Sequence, residues 1–106
     1  MEPNAVPSGK HEPSYPTSRT IRRACDKELY RAAKRLKHYV SPECMKEAVQ
    51  LYHRKVLLNL MWVTEHRSNR KLLCDWWDEE VCAAIAALWE VEEQALSRAF
   101  RESFGG

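Results

Sequence analysis

The sequence predicts an all-α fold: a three-helix bundle, or a long helical hairpin plus a third helix, behind a disordered N-terminal tail. Three observations carry this expectation. Apolar residues recur at three- and four-residue steps from Ile21 to Phe100, the period of a helix with one buried side. Only three glycines occur among 106 residues, and two of them close the chain, which leaves little provision for tight β-turns or Gly-rich phosphate loops. Ser41-Pro42-Glu43 interrupts the periodic stretch with a helix start: Ser caps, Pro occupies the first position without wasting an amide, and an acid faces the positive end of the dipole. The length suits one domain.

Residues 1–17 contain Pro3, Pro7, Pro13 and Pro16, separated mostly by polar residues. Proline removes backbone donors, and too few large apolar groups are present to offset the entropy of ordering, so this stretch is expected to be a disordered tail preceding a helical domain over 18–104. The first helix is expected to begin at Thr17 or Ser18 and to run to about Val40. Its apolar side is Ile21, Cys25, Leu29, Ala32, Leu36 and Tyr39.

The second helix is expected over Pro42 to Arg67. Met45, Val49, Tyr52, Val56, Leu60 and Val63 make one stripe, and Leu51, Leu58 and Trp62 a second. Two apolar faces suit a helix with two neighbours, so this one is expected at the centre. The third helix is expected to start between Lys71 and Asp78, with Asp75 or Asp78 as cap, and to continue to about Ser103. Its main stripe is Trp77, Val81, Ala84, Leu88, Ala95 and Ala99. Beside that runs a second strip of larger residues, Ile85, Trp89, Leu96 and Phe100.

That doubled apolar surface exceeds what three helices of this size need. The Ala-rich stripe already provides a face for close packing, so Ile85, Trp89, Leu96 and Phe100 are expected to form a seam for self-association or for a protein partner. Aromatic residues are enriched at interaction hot spots. The functional expectation is therefore a non-catalytic interaction or assembly module, self-associating or a small subunit of a larger complex.

Charge supplies the alternative. Residues 19–71 hold 14 Lys/Arg against 5 Asp/Glu, whereas residues 72–106 hold 2 against 8, so a net charge of +2 conceals a basic first half and an acidic last third. Arg23, Lys27, Arg31, Lys34 and His38 fall on one strip of the first helix, nearly opposite its apolar side at ~100° per residue. Clustered cations can track a phosphate backbone or an acidic partner. No helix-turn-helix glycine or zinc-finger spacing accompanies them, and nucleic-acid binding through this strip is the second expectation.

Cys25, Cys44, Cys74 and Cys82 form no C-x-x-C pair, and the His and Cys positions never place two ligands on one helical turn, so neither a metal nor another cofactor is expected. Free thiols, mostly buried, suit an intracellular reducing compartment, cytoplasm or nucleus. The longest strongly apolar stretch, Val81 to Trp89, is far short of a membrane span, so no membrane partner is expected. No nucleophile, base and orienting group stand together, and no catalytic activity is expected.

Overall fold

The first 19-residue helix, α1 (Ser18–Leu36), starts where Thr17 turns extended backbone into helix, its side-chain oxygen accepting the Thr20 amide. The computed structural model describes residues 15–106, so the Pro-rich tail expected over 1–17 lies mostly outside the described residues. Helix α1 stops earlier than the periodicity suggests. Lys37 adopts the left-handed conformation at φ 56° and returns its amide to the last turn, and His38 bonds back to the Ala33 carbonyl. Such a closure satisfies carbonyls that the helix end leaves open.

Helix α2 (Pro42–Leu58) begins at the Ser41-Pro42 signal, with the Ser41 hydroxyl accepting the Cys44 amide. It ends before Arg67, because Asn59 breaks the ladder and its own side chain bonds the Lys55 carbonyl. A short helix, α3 (Leu60–Glu65), follows with none of its residues fully buried. Next, α4 (Arg70–Trp77) is capped at its start by Asn69, whose side chain accepts the Leu72 amide, and not by Asp75 or Asp78 as expected. The chain continues without a break through a π-helical turn, Asp78–Cys82, into α5 (Ala83–Trp89).

The expected single third helix ends there. Glu90 takes φ 58°, its amide and that of Val91 close on Ala86 and Ala87, and the chain turns back as α6 (Glu93–Phe104). Helix α6 packs chiefly on α1, which also packs on α2, so α1 shares the central position expected of the second helix alone. The described residues are therefore all-helical, but the simple three-helix arrangement gives way to a chain of shorter helices with a reversal at Glu90.

That reversal reassigns the core. Ile85, Trp89, Leu96 and Phe100 are all buried within the chain itself, whereas Ala84 is exposed and Leu88 and Ala95 are half-buried. The π-helical turn widens the spiral to more than four residues per turn, which rotates α5 relative to α4, and the turn at Glu90 folds the strip of larger residues inward with Trp77, Val81 and Ala99 of the other. Trp77 stacks on Phe100 with centroids 3.8 Å apart, and Tyr52 meets both rings edge-on at 6.1 and 6.2 Å. Of the adjacent tryptophans, Trp77 alone is fully buried; Trp76 is half-buried, as the ~100° step between neighbours requires.

Polar contacts hold α6 against α4. Arg101 reaches Asp75 at 2.6 Å and Asp78 at 2.7 Å, and the Ser97 hydroxyl donates to Asp78 at 2.7 Å. The Arg101 hydrogen bonds, with Lys71 adding its charge at 3.6 Å, hold the Asp75 carboxyl below its ordinary range. Beyond α6, Gly105 takes φ 91°, a conformation that suits glycine, and its amide bonds the Arg101 carbonyl. A Cβ on Gly106 would run into the Cys74 sulfur and stand 2.8 Å from the Arg70 carbonyl oxygen, so the end of the described chain sits directly on α4.

Candidate functional site

Three surfaces offer chemistry, and each follows from how α1, α2 and α3 are placed. The first is the expected cationic strip. Arg23, Lys27, Arg31 and Lys34 project from the outer side of α1 and are exposed, and none of them forms an ion pair among the described residues. His38 does not extend the strip along the helix axis, because it lies past the left-handed Lys37. Lys34 sits over the Tyr30 ring at 5.7 Å, and neighbouring Arg35 approaches Glu102 of α6 at 3.7 Å.

The second surface replaces the expected seam. With Ile85, Trp89, Leu96 and Phe100 inside, the large apolar side chains left in solvent include Leu57 at 42%, Leu58 at 72% and Met61 at 64% exposure. All three lie within five residues of one another, on either side of the Asn59 break at the α2–α3 elbow. The elbow forms because α3 turns Leu60 and Val63 toward the body of the protein, which leaves Met61 on the outside.

The third is a cavity of about 340 Å³ between α1, α2, α3, α4 and α6. Its walls include Ile21, Val56, Leu60, Leu73, Trp76 and Phe104. Cys25, Glu28 and Tyr52 bring polar atoms to this mostly apolar space, as do Thr20 and Thr64, and the exposed Arg67 also lines it. The Tyr52 hydroxyl donates to Glu28 Oε1 across the α1–α2 interface. Burial raises the Glu28 carboxyl above its ordinary range, against the lowering pull of that hydrogen bond and of the Arg70 and Arg31 charges. Burial, reinforced by Glu28, raises Tyr52 well above the usual phenol range.

The Cys25 thiol is likewise pushed up by burial first and then by Glu28 and Asp26. A thiol in this state is protonated at neutral pH and a poor nucleophile. Cys82 is pushed up to about 12 by burial, with Asp78 and Glu93 adding to it. All four cysteines are free. Among the described residues, no group of three or more His, Cys, Asp or Glu side chains is arranged to hold a metal ion.

Sequence periodicity did not single out the Glu28–Tyr52 pair, yet it left a trace. At ~100° per residue Glu28 falls about 20° beyond Ile21, an acid at the edge of the apolar side of α1. Leu58 was visible as part of a second stripe, but its exposure depends on where α3 goes. No helix among the described residues is long and apolar enough to cross a membrane. Compared with known proteins, the chain matches no family model, no curated protein and no solved structure.

Proposed function

We propose that this chain is a non-catalytic interaction module that meets a protein partner through the apolar elbow between α2 and α3. The observation that carries this reading is the grouping of Leu57, Leu58 and Met61 in solvent within five residues at that elbow. Scattered exposed aliphatic residues are ordinary, but three large ones clustered at one bend make a patch of the kind that interfaces cover. Arg54 stands one turn before Leu57 and Leu58 and Glu65 one turn after Met61, both exposed, so the patch is edged by one charge of each sign, which a second copy can complement. A second copy of this chain is the first partner to test.

Sedimentation velocity across a hundredfold concentration range is the test, with the double variant Leu58→Glu/Met61→Glu as control. The wild type should gain mass with concentration and the variant should remain monomeric with unchanged helicity. In parallel, cross-linking in the native cell should give a discrete adduct that the variant loses. A monomeric wild type whose adducts are indifferent to the two substitutions would overturn the proposal.

The exposed cations of α1 favour a second reading, binding to a nucleic-acid backbone. Arg23, Lys27, Arg31 and Lys34 form one solvated face without ion-pair partners among the described residues, so phosphate contacts would compete with no internal pairing. Binding to generic duplex at two salt concentrations tests it. The slope of affinity on salt should fall when Arg23, Lys27 and Arg31 become Ala, and absence of binding at low salt would remove the reading.

A further inference from the structure

The cavity between α1, α2, α3, α4 and α6 is a different surface from the elbow and from the cationic strip. We infer that it is a binding site for a small amphiphilic amine, an apolar or aromatic body carrying one ammonium group that pairs with Glu28. Three observations point there together. The space is about 340 Å³, within the range of ligand pockets, and most of its wall is aliphatic or aromatic. Glu28 brings a carboxylate to it, and that carboxylate receives one hydrogen bond, from Tyr52. A carboxylate has about four lone-pair positions, so acceptor capacity remains for a ligand.

The third observation is the lack of an internal counter-ion. Arg70 is the cation with the strongest pull on Glu28, yet its guanidinium donates to the Phe104 carbonyl at 2.7 Å and lies over the Phe104 ring at 4.9 Å. No Lys, Arg or His pairs with Glu28 among the described residues. A half-buried carboxylate without a counter-ion is costly, and an ammonium group supplies both opposite charge and up to three donors. The aromatic wall of Trp76 and Phe104 accommodates the apolar body, and its ring faces favour a cation over an anion. Neutral molecules of the same shape would fill the space but leave Glu28 unpaired, and carboxylates would face its charge.

The probes are 2-phenylethylamine, 2-phenylethanol and 3-phenylpropanoate, titrated into the full chain by two-dimensional NMR. The amine should bind roughly tenfold or more tightly than the alcohol, as befits a hydrogen bond to a charged group, and the carboxylate least. Perturbed resonances should include Leu60, Trp76 and Phe104. In Glu28→Gln, amine and alcohol should bind alike, since the amide keeps the shape and an acceptor for Tyr52 without the charge. Should that variant fail to fold, the wild type alone suffices, read by pH. The groups facing Glu28 are Cys25 and Arg31 on its own helix, Tyr52 on α2, and Arg70 and Cys74 on α4, while Arg67, between α3 and α4, lines the same cavity. Because burial raises the Glu28 titration, amine affinity should climb as pH rises through it, while alcohol affinity stays level. Equal binding of amine and alcohol, no binding of any probe at millimolar concentration, or a flat pH response of the amine would each overturn the inference.

Discussion

Replacing Phe100 with alanine distinguishes a core residue from an interface residue, which is where the periodicity of the last third of the chain and the fold part company. Phe100 is 1% exposed, stacked on Trp77 and within 5.2 Å of the Phe104 ring, with Tyr52 edge-on. Truncation removes the whole ring from this cluster. A transfer loss of about 2 kcal/mol and an unrelaxed cavity of about 100 Å³ at ~24 cal/mol per Å³ together come to about 4 kcal/mol. That is a large part of the roughly 5–15 kcal/mol by which such domains are stable. With a urea slope of about 1 kcal/mol per molar, the unfolding midpoint should fall by several molar, leaving the variant near the limit of folding. Phe100→Leu keeps most of the volume and should cost about 1.5 kcal/mol or less, a shift that urea unfolding followed by circular dichroism resolves. Should Phe100→Ala keep its midpoint and lose only an association measured by sedimentation, the residue faces a partner and the reversal at Glu90 is misplaced.

The ion-pair cluster of Arg101 predicts a response to acid. Asp75 is held below its ordinary range in the folded chain, so its contribution is present above the unfolded value near 3.9 and is lost as pH falls through the lower folded one. Urea midpoints between pH 6 and pH 2 should therefore drop less steeply in Arg101→Met than in the wild type; parallel curves would remove the pair from the account. Glu90 closes α5 in the left-handed region, where glycine is favoured. Glu90→Gly should raise stability by roughly 0.5–1 kcal/mol, and a loss would show that the side chain does more than cap. Ser41→Ala removes the acceptor of the Cys44 amide and should cost about 1 kcal/mol in the same assay.

Local chemistry explains why part of this molecule was legible in its residues. Ser41-Pro42 marks a helix start because hydroxyl, pyrrolidine ring and backbone lie within one turn, and the helix begins there. Thr17 caps α1 for the same reason, and the apolar arc of Ile21, Cys25, Leu29 and Ala32 is buried because a 3.6-residue repeat leaves it no other side. The cations of α1 are exposed because that arc turns them outward.

Tertiary structure decided the rest. Nothing around Glu90-Val91-Glu92 announces a turn: no Gly, Pro or Asn occurs there, and the acids resemble a solvated helical face. The chain reverses because α6 gains more by packing on α1 than by extending α5, and a left-handed glutamate is a small cost beside burying Leu96 and Phe100. The same reversal took Ile85, Trp89, Leu96 and Phe100 out of solvent, while the placement of α3 left Leu57, Leu58 and Met61 exposed and the packing of α1 on α2 set the carboxylate of Glu28 beside Tyr52. Periodicity states which side of a helix is apolar. Which neighbour covers that side is set by contacts between residues far apart in the chain, and those form only when the whole fold does.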